Sequence, residues 1–173
     1  MKRHFINFVF LSVIFEAHSP PTLAACDEIS SQMVQPLEFG LMRYESGFTR
    51  GTASVWPNGF VQMPRGLSLS SSSSAHPAII RLTNARASEI AFRIDTDIIE
   101  GKDFGYLSNM RASVIGADFE YDGNILRVRP NNELFSPDIS PTILLGGDLD
   151  ISSKNMRNGK FQALVKIRCI YKI

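Results

Sequence analysis

The sequence predicts an all-β protein, an antiparallel immunoglobulin-like sandwich, and three observations carry that expectation. Apolar residues recur at every second position along most of the chain, Asn-Gly and Asp-Gly pairs separate the runs, and no window of a dozen residues after residue 25 keeps a helical period. Roughly eight or nine short strands with this punctuation close a core most simply as two packed antiparallel sheets.

The N-terminal segment stands apart from that pattern. Lys2 and Arg3 precede the apolar run FINFVFLSVIF, residues 5–15, which is interrupted only by Asn7 and Ser12. A helix needs about 20 apolar residues to span a bilayer, so the run is short for an uncleaved anchor. A polar stretch with Pro20 and Pro21 follows, ending in Thr22-Leu23-Ala24-Ala25-Cys26, where small residues offer a cleavage site. The expectation is a secretory signal at 1–25 and one β-sandwich domain at 26–173, exported to the periplasm, cell surface or extracellular space.

Strands are expected at 52–56, 78–83, 90–95, 112–115, 124–129, 143–151 and 161–173. The last is the clearest: Phe161, Ala163, Val165, Ile167, Cys169, Tyr171 and Ile173 alternate with Gln162, Lys166, Arg168 and Lys172. Hairpin turns are expected at Asn58-Gly59, Asp122-Gly123 and Asn158-Gly159, because these pairs tolerate the positive φ that tight turns require. Two connections are longer, 66–76 and 130–141. The serine run from Ser70 to Ser74 in the first is expected to be a solvated loop.

The chain of 173 residues has 18 Lys and Arg against 17 Asp and Glu. Loss of Lys2, Arg3 and Glu16 with the signal leaves 16 of each sign, and His76 becomes the only histidine. A neutral domain without a basic run lacks the electrostatic footprint of a nucleic-acid binder. A serine–histidine catalytic pair would have to use His76, which has no Gly-x-Ser-x-Gly elbow to serve. No zinc, P-loop or dinucleotide fingerprint is present. The alternating acids of Asp118-Phe119-Glu120-Tyr121-Asp122-Gly123 resemble the start of a calcium loop, but Arg129 stands where its bidentate acid belongs, and a hairpin explains the same residues. The pairs Asp95/Asp97 and Asp148/Asp150 each share one strand face and read as solvated. These readings lead to a non-enzymatic protein with no metal and no cofactor.

Cys26 and Cys169 lie at the two ends of the expected domain. A bridge between them would close a loop of about 144 residues and stabilise by roughly 5 kcal/mol in the chain-entropy description. Two alternatives stay open. Leu23-Ala24-Ala25-Cys26 is similar to a lipobox, in which case Cys26 carries lipid and supplies a membrane anchor, or both thiols are free.

Pro36-Leu37-Glu38-Phe39-Gly40, Gly51-Thr52-Ala53-Ser54-Val55, Leu145-Gly146-Gly147-Asp148-Leu149 and Gly159-Lys160-Phe161 leading to Tyr171 occur in that order. The set resembles a bacterial secreted, pilin-like family catalogued as a domain of unknown function, with an LDFG-like start, a GTV-like strand, a GGTL-like strand and a final strand ending in Tyr. Asp148 replaces that family's small or hydroxyl residue. The chain also resembles chaperone–usher fimbrial subunits, in which a glycine precedes a near-terminal aromatic by twelve residues, as Gly159 precedes Tyr171. The resemblance implies a structural or adhesive envelope protein whose partners, other subunits or a periplasmic chaperone, add a β-strand. Gly159, Phe161 and Tyr171 are then the complementation candidates, with the acceptor edge at 143–151 or at the last strand. The segment 26–35 holds few large aliphatic residues, which favours a self-completed or terminal subunit. The alternative is a self-contained module holding a ligand, glycan among the choices, in loops 66–76 and 102–109, with Phe104 and Tyr106 as contacts.

Overall fold

A computed structural model describes residues 4–5, 9–14, 29–83, 89–100, 105–130, 141–153 and 161–172. Among them there is no α-helix. The strands are β1 (His4–Phe5), β2 (Val9–Ile14), β3 (Ser30–Gln35), β4 (Met42–Tyr44), β5 (Arg50–Val55), β6 (Val61–Gln62), β7 (Leu67–Leu69), β8 (Ala78–Thr83), β9 (Ile90–Glu100), β10 (Gly105–Ile115), β11 (Ala117–Asp122), β12 (Ile125–Pro130), β13 (Thr142–Ser152) and β14 (Phe161–Lys172). The strand count exceeds the expected one because β1, β4, β6 and β7 are too short for a period of two to mark them, and because the N-terminal run itself supplies β1 and β2.

One sheet has the order β3-β8-β13-β5-β6, with β10 on the other side of β13, and a second has the order β11-β12-β9-β14-β2. A small third sheet has the order β1-β4-β7. Every pairing is antiparallel except that of β14 with β2. Between the two large sheets lies one apolar core. Ile80 and Leu82 of β8, Phe92 and Ile94 of β9, Leu126 and Val128 of β12, Ile143 and Leu145 of β13, and Phe161, Val165 and Ile167 of β14 all belong to it. The alternation expected from sequence thus reports burial: the inward positions of β14 are buried and the residues between them are half-buried or exposed. At Gly116, whose φ of 83° suits glycine, the chain leaves β10 in one sheet and starts β11 in the other.

The β11–β12 hairpin forms where Asp122-Gly123 predicted a turn, with Gly123 and Asn124 as its two central residues between paired Asp122 and Ile125. Only Gly123 takes positive φ, 60°, so the glycine carries the geometric requirement. Glu120 pairs with Arg127 and Arg129 across the hairpin, as strand-facing acids do and calcium ligands do not. Asn58-Gly59 likewise turns β5 into β6, with the Gly59 N–H donating to the Trp56 carbonyl at 2.9 Å.

Several expectations change. The serine run is solvated only in part: Ser71, Ser72 and Ser74 are exposed, whereas Ser70 is buried, the Leu41 N–H donates to Ser73 Oγ at 2.5 Å, and His76 and Glu38 exchange backbone hydrogen bonds at 2.9 Å. Residues 105–109 belong to strand β10 and not to a loop. The strand at 143–151 is not an edge strand, because β10 covers one side of β13 while β8 and β5 share the other. Asp148 is not solvated but 5% exposed. Strict alternation along β14 ends at Cys169, where a bulge places Tyr171 opposite Ala91 one register step late.

Candidate functional site

Strand β14 is held from inside and on one edge by the domain itself. Phe161, Ala163, Val165 and Ile167 are fully buried. A Cβ added to Gly105 would run into the Phe161 ring, 2.8 Å from Cε2, so that ring packs directly against the start of β10. Along its inner edge β14 pairs with β9 from Gln162 opposite Glu100 to Lys172 opposite Ile90.

The outer edge is different. Its described partner is β2, which runs parallel and pairs Phe161 with Val9, Ala163 with Leu11 and Val165 with Val13, ending at Lys166 with Ile14. All of β2 lies inside the run that reads as an export signal. Val9, Leu11 and Val13 therefore stand in register with the buried Phe161, Ala163 and Val165, while Phe10, Ser12 and Ile14 stand with Gln162, Leu164 and Lys166. Without β2 this edge would present a row of unpaired N–H and C=O groups along a strand whose alternate residues are buried, which is what a strand acceptor offers.

Of the sequence candidates, Phe161 lies at the start of this edge. The backbone of Tyr171 lies on the same strand, whereas Gly159 falls outside the described residues. Cys169 carries no free thiol; Cys26, its candidate partner, lies outside the described residues, as does Phe104. Tyr106 is 60% exposed but stands on β10, far along the chain from the serine-rich connection it was grouped with.

A second constellation was missed by sequence reading. On the outward face of β13, Asp148 receives two hydrogen bonds from Arg111, at 2.7 and 2.8 Å, and one from Asn109 Nδ2 at 3.0 Å. The Trp56 ring covers the guanidinium, with Arg111 Cζ 4.1 Å from its centroid. Two residues on, Asp150 accepts from Thr52 at 2.5 Å and Ser108 at 2.8 Å. Burial pushes the Asp148 carboxyl up, but hydrogen bonds from Arg111, Ser54 and Asn109 together with the Arg111 charge outweigh it and hold the group below the usual carboxylate range. Every oxygen is spoken for, so the cluster clamps β5, β13 and β10 together and leaves no carboxylate poised for acid–base work. The sequence signal for it is thin: an acid on a strand directly after Gly146-Gly147, with its arginine 37 residues away.

His76 Nε2 lies 3.2 Å from Glu38 Oε2, bonding the serine-rich connection to the Leu37-Glu38-Phe39-Gly40 segment and not to a serine nucleophile. Among the described residues no group of three or more His, Cys, Asp or Glu is placed to hold a metal ion, and no helix is long and apolar enough to cross a membrane. Comparison with known proteins finds no matching family model, no matching curated protein and no matching solved structure.

Proposed function

We propose that the chain is a secreted, non-enzymatic structural or adhesive subunit of a bacterial envelope, an immunoglobulin-like sandwich that accepts a β-strand from a protein partner along the outer edge of β14. One observation carries this reading: the edge is filled in parallel by Val9–Ile14, a segment the sequence marks for removal, with aliphatic residues in register with the buried face. Processing would vacate that place while the rest of the core stays intact. The segment after the expected cleavage point supports an acceptor over a donor, because β3 is already committed to β8 within the domain. A Cys26–Cys169 bridge would fasten the start of the processed chain beside the acceptor strand.

The test uses the processed chain, residues 26–173, and a synthetic peptide of residues 5–16. The peptide should bind, raise the melting temperature and slow amide exchange along β14, and a peptide with Val9, Leu11 and Val13 replaced by Ser should do none of these. A processed chain that stays monomeric and whose melting temperature no strand peptide raises ends the proposal.

A further inference from the structure

The β2 strand fills the outer edge of β14 only in part, and the part it leaves open is charged. Its last pair is Ile14 with Lys166, so the outer edge from Ile167 to Lys172 has no ladder partner among the described residues. Ile167 is fully buried, which continues the row of Phe161, Ala163 and Val165 by one place beyond the end of β2. A strand that used more of this edge would carry a fourth apolar residue.

On the outward face, Lys166 and Arg168 share one carboxylate across the inner edge. Lys166 stands opposite Asp95, and Arg168 Nη2 lies 3.4 Å from Asp95 Oδ2, an oxygen pair that also accepts from Asn124 Nδ2 at 3.3 Å. Arg93, exposed on the same face, is directly opposite Arg168, so like charges meet there. Neither Lys166 nor Arg93 has an ion-pair partner among the described residues. Asp97, the next acid on that face of β9, stands opposite Leu164. Three cations, Arg93, Lys166 and Arg168, against the carboxylates of Asp95 and Asp97 leave a positive excess where the edge is uncovered. β2 brings no charge to it, since Phe10, Ser12 and Ile14 are its residues in register with Gln162, Leu164 and Lys166.

Opposite charges on neighbouring strands attract and like charges repel, each exposed pair changing affinity about threefold. We propose that the partner strand accepted by β14 runs past the end of β2 and is acidic on its outward face. It carries apolar residues opposite Phe161, Ala163, Val165 and Ile167, and Asp or Glu opposite Lys166 and Arg168. This inference rests on strand acceptance at the same edge and adds what selects the strand: the apolar row supplies affinity, and the two cations choose among strands that share that row.

Amidated peptides of residues 5–17 test it on the processed chain, because the β2 register, continued by two residues, sets position 16 of a strand opposite Arg168. The acidic peptide carries Ile14→Glu and keeps Glu16, the neutral one carries Ile14→Gln with Glu16→Gln, and the basic one Ile14→Lys with Glu16→Lys. At about 10 mM salt the acidic peptide should bind about tenfold tighter than the neutral one, and the basic peptide about tenfold weaker. Both differences should shrink to about twofold at about 500 mM salt, where screening is strong. In the Lys166→Gln/Arg168→Gln chain the preference for the acidic peptide should be lost. Equal binding of the three peptides, or a preference that survives high salt or the double variant, overturns the proposal while strand acceptance stands. Binding by none of the three ends strand acceptance and this proposal together.

Discussion

β13 and β14 are written in the same pattern and do different things. Each is a long strand, Thr142–Ser152 and Phe161–Lys172, with aliphatic residues on one face and fully buried members in the same core. β13 has domain-internal partners on both edges: β10 along its length on one side, then β8 and β5 in succession on the other. β14 has one, and its second edge depends on β2 from the N-terminal run. Their outward faces differ as well, since β13 carries the Asp148 clamp that ties three strands, whereas Lys166 and Arg168 on β14 face Asp95 and its neighbours across β9. Alternation marks which face of a strand is buried; the neighbours decide whether its edge is available.

The contrast can be broken most severely in the middle of β13. Leu145 is fully buried between two sheets, and Leu145→Ala should cost about 3–4 kcal/mol in chemical denaturation, equally with and without residues 1–25. A loss below about 1 kcal/mol would mean that the core around β13 relaxes far more easily than its pairing indicates.

Hydrogen exchange then separates the two strands directly. In the processed chain the outward amides of residues 161–166 should exchange about 100-fold faster than those of β13, and the 5–16 peptide should restore their protection. Equal protection on both strands would remove the distinction between a closed and an open edge.

The clamp makes a smaller difference and one that pH reveals. The Asp148 carboxyl titrates below its ordinary value in the folded protein, so the unfolded chain binds the proton first, and the stabilisation is present above about pH 4 and lost as pH falls through the lower folded value. Asp148→Asn should cost roughly 1–2 kcal/mol at neutral pH and should flatten the acid limb of the stability curve. An acid limb of unchanged slope in that variant would assign it to other carboxylates.

Least affected should be the exposed end of the same face. Thr52→Ala removes one hydrogen bond to Asp150, which Ser108 still serves, and should cost about 0.5 kcal/mol at most in thermal denaturation. A cost near that of the Asp148 variant would show that the two aspartates act as one network.

What was legible in the sequence was local. Phe161 through Ile167 alternate because a pleated strand has a two-residue repeat, and Asp122-Gly123 turns because glycine takes positive φ without strain; neither depends on distant residues. The short β4 and β7 escaped notice because three residues cannot display a period. The serine run is legible only in part for a related reason: composition reads as solvation, which holds for the exposed Ser71, Ser72 and Ser74, while Ser70 is buried by its place beside Leu41 and Arg43. Asp148 looked like half of a solvated pair because its partner Arg111 is brought near only by the β10–β13 register.

The sequence by itself determined that this is a β protein, where its longest strands run, which face of each is apolar and where its tight hairpins bend, because each of these follows from backbone geometry over a few residues. Tertiary structure alone decided that β13 has partners from the rest of the domain on both edges, that β2 of the N-terminal run fills the outer edge of β14 in parallel, and that β9 and β10 part into different sheets. Neighbours in a sheet are chosen by the whole chain packing one core, and no stretch of two or ten residues contains that choice.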